Sequence, residues 1–127
     1  MSHLRTARAV GLALLAVAAG CADDVDPRPA ELPYLVEAIL RPSCGTAACH
    51  SSLTQTEGLV FDTLEGTRAT LNSEPDLVSV LDPEASKLLR VLDGSAARMP
   101  PDAPIPDADI ALIRAWIVAG ADLGDAP

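Results

Sequence analysis

The residues best suited to chemistry in this 127-residue chain lie in one short segment, residues 44–50, which reads CGTAACH. Covalent haem attachment uses two Cys thiols, which add to the porphyrin vinyl groups, and a His directly after the second Cys, which binds the iron. The usual pattern is C-x-x-C-H, whereas here four residues separate Cys44 from Cys49. The backbone must therefore bulge between the two sulfurs, and the small residues of the spacer suit a chain that lies against a flat macrocycle. The segment indicates a variant haem-attachment site with His50 as the iron ligand.

Two other interpretations of the same residues stay open on this segment alone. Cys44 and Cys49 could form a disulfide, since four intervening residues can close such a ring and exported domains are often stapled in this way. A zinc site would use both cysteines and His50, but structural zinc takes four ligands and a carboxylate would have to supply the fourth. The disulfide would leave the direct adjacency of Cys49 and His50 as a coincidence.

Met99 is the one methionine besides Met1, and it lies in a Pro-rich loop. Pro100 and Pro101 follow it and stiffen the backbone, which suits a loop and not a packed helix. A thioether held on a rigid loop is a soft ligand that favours reduced iron and raises its reduction potential. Met99 is therefore the candidate ligand for the face of an iron centre opposite His50.

The composition excludes one class of function and suggests what fills the core. Nine basic residues against 18 acidic ones give a formal charge of −9, which argues against nucleic-acid binding because phosphates select basic surfaces. Aromatic residues make up only 2% of the chain, one each of Tyr34, Phe61 and Trp116. A domain of this size normally fills its core with several aromatic rings, and a haem would supply a large apolar plate in their place. Trp116 would then close one side of the haem pocket.

The first 20 residues have the features of an export signal. A short basic stretch precedes the apolar run Ala9–Gly20, which is shorter than the roughly 20 residues that a membrane-spanning helix needs. The run leads into VAAGC, ending at Cys21, which resembles a bacterial lipobox with Ala18 in place of the usual Leu. We predict cleavage before Cys21, lipid attachment to this cysteine and a location on the periplasmic side of a bacterial membrane. The alternative is an ordinary signal that leaves Cys21 as a spare thiol.

Cleavage at this position would make the mature chain more acidic and leave it on a tether. Seven basic residues would remain against 18 acidic ones, a net charge of −11. Residues 21–31 are acidic and contain prolines without apolar periodicity, so we predict a tether there, followed by a domain over residues 32–127. Ten extended residues reach about 33–36 Å. The acidic surface suits solubility, and in a second interpretation it steers the domain toward a basic patch on a partner.

Apolar periodicity and helix-boundary residues predict four short helices and no strand. The helices are expected from Leu32 to Leu40 with a stop at Pro42, from an Asp62 cap to Leu71, from an Asp82 cap to Gly94, and from about Asp107 to Gly120. The Pro-rich loop with Met99 lies before the last of them. Short helices around long loops do not close a large core unaided, so the fold needs a staple or a filler.

Taken in order, four pieces of the sequence resemble the small c-type cytochrome domains of planctomycete type. They are the segment that ends in Cys49-His50, residues 58–62 (GLVFD), residues 82–90 (DPEASKLLR), and the stretch from RMPP at 98–101 to IALIRAWIVAGA at 110–121. The resemblance covers residues 44–121, and its last piece is the most specific one. Two positions depart from the family pattern: the spacer between the cysteines is longer, and Ser51 stands where a Gly commonly follows the His.

The resemblance implies an all-α, cytochrome c-like fold in which about four short helices surround one covalent haem c. It implies thioether bonds at Cys44 and Cys49, a proximal iron ligand at His50 and a distal one at Met99. With both axial positions filled there is no open site for a substrate, so we expect a one-electron carrier that serves a redox partner protein, and not an enzyme. The alternative is a non-haem lipoprotein that acts in binding or scaffolding and is closed by a disulfide between the two cysteines.

Overall fold

The computed structural model describes residues 25–124, which form four helices joined by loops, with no β-strand among them. Helix α1 is continuous over Leu32–Leu35, a π-helical turn Val36–Leu40 and Arg41–Ser43; α2 is Leu64–Ser73, α3 is Lys87–Leu92 and α4 is Asp107–Val118. Short 3-10 turns occur at Thr56–Gly58, Pro75–Leu77 and Pro83–Ala85. This architecture confirms the predicted all-α, cytochrome c-like class.

Helix α1 runs past the proline that was expected to stop it. Pro42 lies inside the final segment Arg41–Ser43, and the preceding turn is π-helical, with the Arg41 N–H donating to the Val36 carbonyl. A proline ring normally clashes with the carbonyl four residues earlier, and the wider π turn relieves that contact. The helix instead ends where the Cys44 and Gly45 N–H groups both donate to the Leu40 carbonyl, at 2.7 and 2.9 Å.

The cap of α2 is one residue later than predicted. Thr63, and not Asp62, has extended backbone angles, and its side-chain oxygen accepts a hydrogen bond from the Gly66 N–H at 3.0 Å. A hydroxyl oxygen at this position satisfies one of the free amide groups of the first helical turn. The Asp62 carboxylate is thereby available for another partner in the loop that follows α1.

The predicted helix after Asp82 is broken in two. Pro83–Ala85 forms a separate 3-10 turn without a side-chain cap, and α3 begins only at Lys87. The break is at Ser86, which is fully buried and whose hydroxyl oxygen accepts a hydrogen bond from the Ser79 N–H at 2.9 Å. This tertiary bond holds Ser86 out of helical geometry. The last predicted helix, by contrast, is confirmed as α4, which begins at Asp107 and is followed by Gly120 at a φ of 112°.

The core is built almost entirely from aliphatic side chains. Helices α1, α3 and α4 supply the most deeply buried of them: Leu32, Leu35, Val36, Ile39, Leu89, Leu92, Ile113 and Ile117. Phe61 and Trp116 are the buried aromatic residues of the described chain. None of the helices in residues 25–124 combines the length and the apolar character needed to cross a bilayer.

The end of the predicted tether nearest the domain is in contact with it. The Arg28 guanidinium donates hydrogen bonds to Asp26 and, at 2.5 Å, to Asp109 in the first turn of α4. Ala30 packs against the core. The predicted lipidation site Cys21 and the export signal lie outside the described residues.

Candidate functional site

One cavity of about 270 Å³ brings together three of the predicted site residues, Cys44, His50 and Met99. The first two come from the loop after α1, and Met99 comes from the loop between α3 and α4. Apolar side chains form much of the remaining wall, namely Leu59, Phe61, Leu77, Leu88, Val91 and Leu92, and the polar residues there are Glu57, Glu74, Asp76 and Lys87. The fold thus places an imidazole and a thioether on one largely apolar cavity.

The His50 ring is held in a defined orientation and tautomer. Its Nδ1 lies 2.8 Å from the carbonyl oxygen of Thr56, which can only accept a hydrogen bond, so Nδ1 carries the proton. The Nε2 lone pair is then available for a metal ion, as in sites where a second hydrogen bond orients the ligating His. Phe61 packs its ring edge against the imidazole, with the ring centroids 5.7 Å apart and the planes at 78°.

The longer spacer between the cysteines loops outward. The His50 N–H donates to the Cys44 carbonyl at 3.0 Å, and the Cys49 N–H donates to the Thr46 carbonyl at 2.9 Å. These two bonds close the segment into a compact turn, while residues 46–48 are exposed to solvent. The additional residues therefore protrude from the domain and leave Cys44 and His50 on the same wall.

The segment Phe61–Asp62 packs against the back of this turn. The Phe61 N–H donates to the His50 carbonyl at 2.7 Å, and the Asp62 carboxylate accepts hydrogen bonds from the backbone N–H and hydroxyl of Ser52 at 2.9 and 2.8 Å. These bonds from Ser52 lower the pKa of Asp62 below its usual value. Sequence reasoning treated Asp62 only as a helix cap, although it lies in GLVFD, one of the pieces that resemble the family.

Gly45 is a second positioning residue that sequence reasoning did not single out. A Cβ atom at this position would lie 2.7 Å from the Cα and N atoms of Asp62 and 2.8 Å from the carbonyl carbon of Phe61. Only a residue without a Cβ allows two backbone segments to approach this closely. Gly45 therefore allows the turn of residues 44–50 to pack directly against Phe61–Asp62.

We expect Gly45→Ala to destabilise the fold by about 1–3 kcal/mol, because the added methyl meets backbone atoms that cannot move aside without displacing the turn. Urea unfolding followed by circular dichroism measures this loss as a lower midpoint. Thr46→Ala, at the exposed neighbouring position, is the matched control and should leave the midpoint within about 0.5 kcal/mol of the parent. Equal midpoints for Gly45→Ala and the parent would show that the close approach is not needed.

The two cysteines of the segment differ in their surroundings. Both are free thiols in the structure, so no disulfide joins them. Cys44 is buried on the cavity wall, whereas Cys49 is half-buried and is not part of that wall. Burial, together with the nearby Cys49, raises the pKa of Cys44 to about 11. Cys44 is therefore a neutral, largely unreactive thiol at physiological pH.

In the haem-free protein we expect iodoacetamide at pH 8 to alkylate Cys44 at least roughly tenfold more slowly than Cys49, because the thiolate is the reactive form and Cys44 is buried. Peptide mass spectrometry after timed quenching gives both rates. Equal alkylation rates would contradict the burial of Cys44.

The raised pKa of the Cys44 thiol also means that the folded state loses stability as the pH rises from about 9 through about 11, while no stability is lost below pH 9.

Met99 and Trp116 lie in different surroundings. Met99 is on the cavity wall with 39% of its side chain exposed, and its N–H donates to the Val91 carbonyl at 3.0 Å. Trp116 is buried in the core, where its indole N–H donates to the Asp122 carbonyl at 2.9 Å, and it is not part of the wall. Its predicted role in closing a haem pocket stays a prediction. Lys87, a second possible nitrogen ligand, does line the cavity.

The donors on this cavity fit a haem better than a bare metal ion. Within residues 25–124, no three side chains of His, Cys, Asp or Glu come together as a metal-binding cluster, so the zinc interpretation has no ligand set there. An imidazole Nε2 and a thioether sulfur are the axial pair of c-type cytochromes, and the Cys44 thiol beside them is what covalent attachment requires.

Comparison with known proteins agrees with this chemistry. Residues 47–103 match a family model described as Planctomycete cytochrome C. The match includes Cys49, His50 and Met99, and it begins after Cys44 and ends before α4. No curated protein and no solved structure matches the chain.

Proposed function

We propose that this chain, which contains a cytochrome c domain of the planctomycete type, is an exported and lipid-anchored carrier of single electrons with one haem c. The family implies a covalently attached haem c. The observation that carries the proposal is that His50 and Met99 line one cavity, because both side chains could then hold the iron of a single haem. When bound, the haem supplies an iron that alternates between the ferrous and ferric states.

In this proposal His50 and Met99 would both hold the iron, which would leave no coordination position for a substrate. The Thr56 carbonyl keeps the proton on Nδ1 of His50, so that Nε2 faces the iron as a neutral donor. Met99 would supply the second ligand from a loop whose backbone is hydrogen-bonded to the Val91 carbonyl. A site with both axial positions filled exchanges electrons and does not bind small substrates, which is why we propose a carrier and not an enzyme.

Cys44 and Cys49 would fix the haem in place. Each thiol would add across one vinyl group, its sulfur bonding to one vinyl carbon and its proton ending on the other, so that no external oxidant or reductant is needed. Cys44 already lies on the wall, and Cys49 is the residue directly before His50. The outward loop of the spacer is what allows the more widely spaced sulfurs to serve the same ring.

The cavity wall would adjust the potential in two opposing directions. The Met99 sulfur favours ferrous iron and raises the potential. Glu57, Glu74 and Asp76 line the same cavity, and negative charge near the iron favours the ferric state. The apolar part of the wall excludes water from the iron and limits the reorganisation that accompanies each electron transfer.

The proposal is tested by producing the full chain in a bacterium that attaches haem c and examining the membrane fraction. We expect a red protein whose haem survives acid-acetone extraction and stains on a denaturing gel. Replacing both Cys44 and Cys49 by Ser should abolish the covalent stain, while each single variant should retain weaker attachment. Cys21→Ser is the matched cysteine control: its haem content should be unchanged, and the protein should leave the membrane fraction. Colourless protein from cells with active attachment machinery would refute the proposal.

A further inference from the structure

A second concave surface lies next to the candidate haem cavity. This groove has a volume of about 800 Å³ and shares Asp76, Lys87 and Val91 with the cavity. Its apolar lining comes from Val91 of α3 and from the chain on either side of that helix: Val78, Val80, Leu81, Ala85, Ala96 and Ala97. Leu81 is 100% exposed and Val80 is 48% exposed. We call this surface the α3 groove.

The basic residues of the described chain fall into two groups. Four of the seven are engaged within the domain: Arg28 with Asp26 and Asp109, Arg41 with Glu37, Arg114 with Glu84, and Arg68 with the Leu123 carbonyl. The other three, Lys87, Arg90 and Arg98, are exposed, and none of them forms a side-chain hydrogen bond or ion pair within residues 25–124. All three belong to α3 or the loop after it.

The positions of these exposed basic residues differ from what the negative net charge of the chain would suggest. The chain as a whole is acidic, yet two of the three cations that form no side-chain hydrogen bond or ion pair within residues 25–124, Lys87 and Arg90, line this groove. Lys87 also lines the cavity, Asp76 is the one described carboxylate on the groove wall, and Arg98 lies on a different concave surface with Asp93 and Asp107. Arg90 interacts electrostatically with Asp93 without forming an ion pair with it. Exposed apolar residues beside an exposed Arg are typical of protein interfaces.

We propose that the α3 groove docks a redox partner protein which inserts an apolar side chain into the groove and places carboxylates against Lys87 and Arg90. This inference rests on the proposed function and deepens it, since it names the chemistry of the partner. Docking here brings the partner to the wall that the groove shares with the cavity of His50 and Met99. The charge of the partner would therefore be opposite to the one expected from the net charge of this chain.

The shape and charge of the groove favour a protein over an anionic membrane. A bilayer is a flat surface, whereas the groove is concave and accepts a protrusion. Asp82 and Glu84 lie between the lining residues Leu81 and Ala85, and both are exposed. A uniformly negative lipid surface would be opposed by these carboxylates, while a protein can place its own charges to avoid them.

The first test uses the haem-containing protein and small redox reagents of opposite charge. Arg90→Glu is compared with Arg41→Glu, which changes the net charge equally on α1, away from the groove. We expect Arg90→Glu to slow oxidation by hexacyanoferrate(III) about threefold more than Arg41→Glu does, and to speed oxidation by the cationic tris(phenanthroline)cobalt(III). Stopped-flow absorbance measures both rates. Equal effects of the two variants would show that only net charge matters and would overturn the proposal.

The second test does not depend on electron transfer. A soluble copolymer of glutamate and leucine serves as the probe, in titration calorimetry with the full chain carrying Cys21→Ser so that no lipid anchor contributes. We expect binding that weakens at least about threefold in Arg90→Glu and in Leu81→Ser but not in Arg41→Glu. Absence of copolymer binding overturns the proposal. Sedimentation with phosphatidylglycerol vesicles that depends on Arg90, in a protein that does not bind the copolymer, also overturns it, because the groove would then bind a membrane. A haem-free product would refute the proposed function alone, because this test needs no redox centre.

Discussion

His50→Ala is expected to yield almost no haem-containing protein. His50 is the one histidine of the described chain, and its Nδ1 bond to the Thr56 carbonyl leaves Nε2 as the nitrogen prepared for the iron. Without His50 the proposed haem would lack its proximal ligand, and only the walls of the largely apolar cavity would hold it. We expect the haem content per chain to fall at least about tenfold, as removal of a metal ligand or its supporting partner commonly does.

The haem content is measured by the pyridine haemochrome absorbance against protein concentration. Leu53→Ala is the matched control, because Leu53 lies in the same loop with 85% of its side chain exposed. Its haem content should equal that of the parent. If His50→Ala accumulated with full haem and an unchanged spectrum, His50 would not be the proximal ligand and the proposed site would be wrong.

Met99→Ala is expected to keep the haem and to change its electron chemistry. Loss of the thioether removes a donor that favours ferrous iron, so we expect the potential to fall by on the order of 0.2 V, within the roughly 0.8 V that axial ligands cover. The vacated position should also bind added imidazole or carbon monoxide. Met99→Leu keeps most of the side-chain volume without the sulfur, and it should show nearly the same fall, which separates ligation from packing.

Protein-film voltammetry and absorbance titration with imidazole provide these two measurements. An unchanged potential and an unchanged spectrum in both variants would exclude Met99 as the distal ligand. Lys87 would then be the next residue to replace, because it is the other side chain on the cavity wall with a nitrogen able to bind iron. Lys87→Ala should leave the potential nearly unchanged if Met99 holds the position.

Element boundaries were predicted well only where local chemistry decided them. Helix α4 begins at the predicted Asp107, because Pro106 and the first-turn carboxylates favour a helix start irrespective of the surroundings. The start of α1 at Leu32 was also predicted, whereas two other boundaries depended on distant partners. Asp62 binds Ser52 and leaves the capping role to Thr63, and the buried hydroxyl of Ser86 binds Ser79 and interrupts the expected helix. Such tertiary hydrogen bonds leave no mark in periodicity or propensity.

The residue types of the candidate site could be predicted from the sequence because they depend on neighbours in the chain, and their role in holding a haem stays a prediction. Cys49 and His50 are adjacent, and Met99 precedes two prolines, so the type of each donor and its local stiffness follow from covalent connectivity. The structure shows the expected bulge, since residues 46–48 of the longer spacer are exposed to solvent. The attachment of both sulfurs to one haem stays a prediction.

Only the tertiary structure decided how these donors meet and what surrounds them. Packing of α3 brings Met99 to the cavity of His50, and the absence of a Cβ at Gly45 seats the turn on Phe61–Asp62. The same holds for charge: composition shows a net excess of acid, but ion pairs formed across the fold neutralise some cations and leave Arg90 and its neighbours beside the α3 groove. The net charge is a sum over residue types and does not say where the charges lie, whereas binding at a surface depends on their positions.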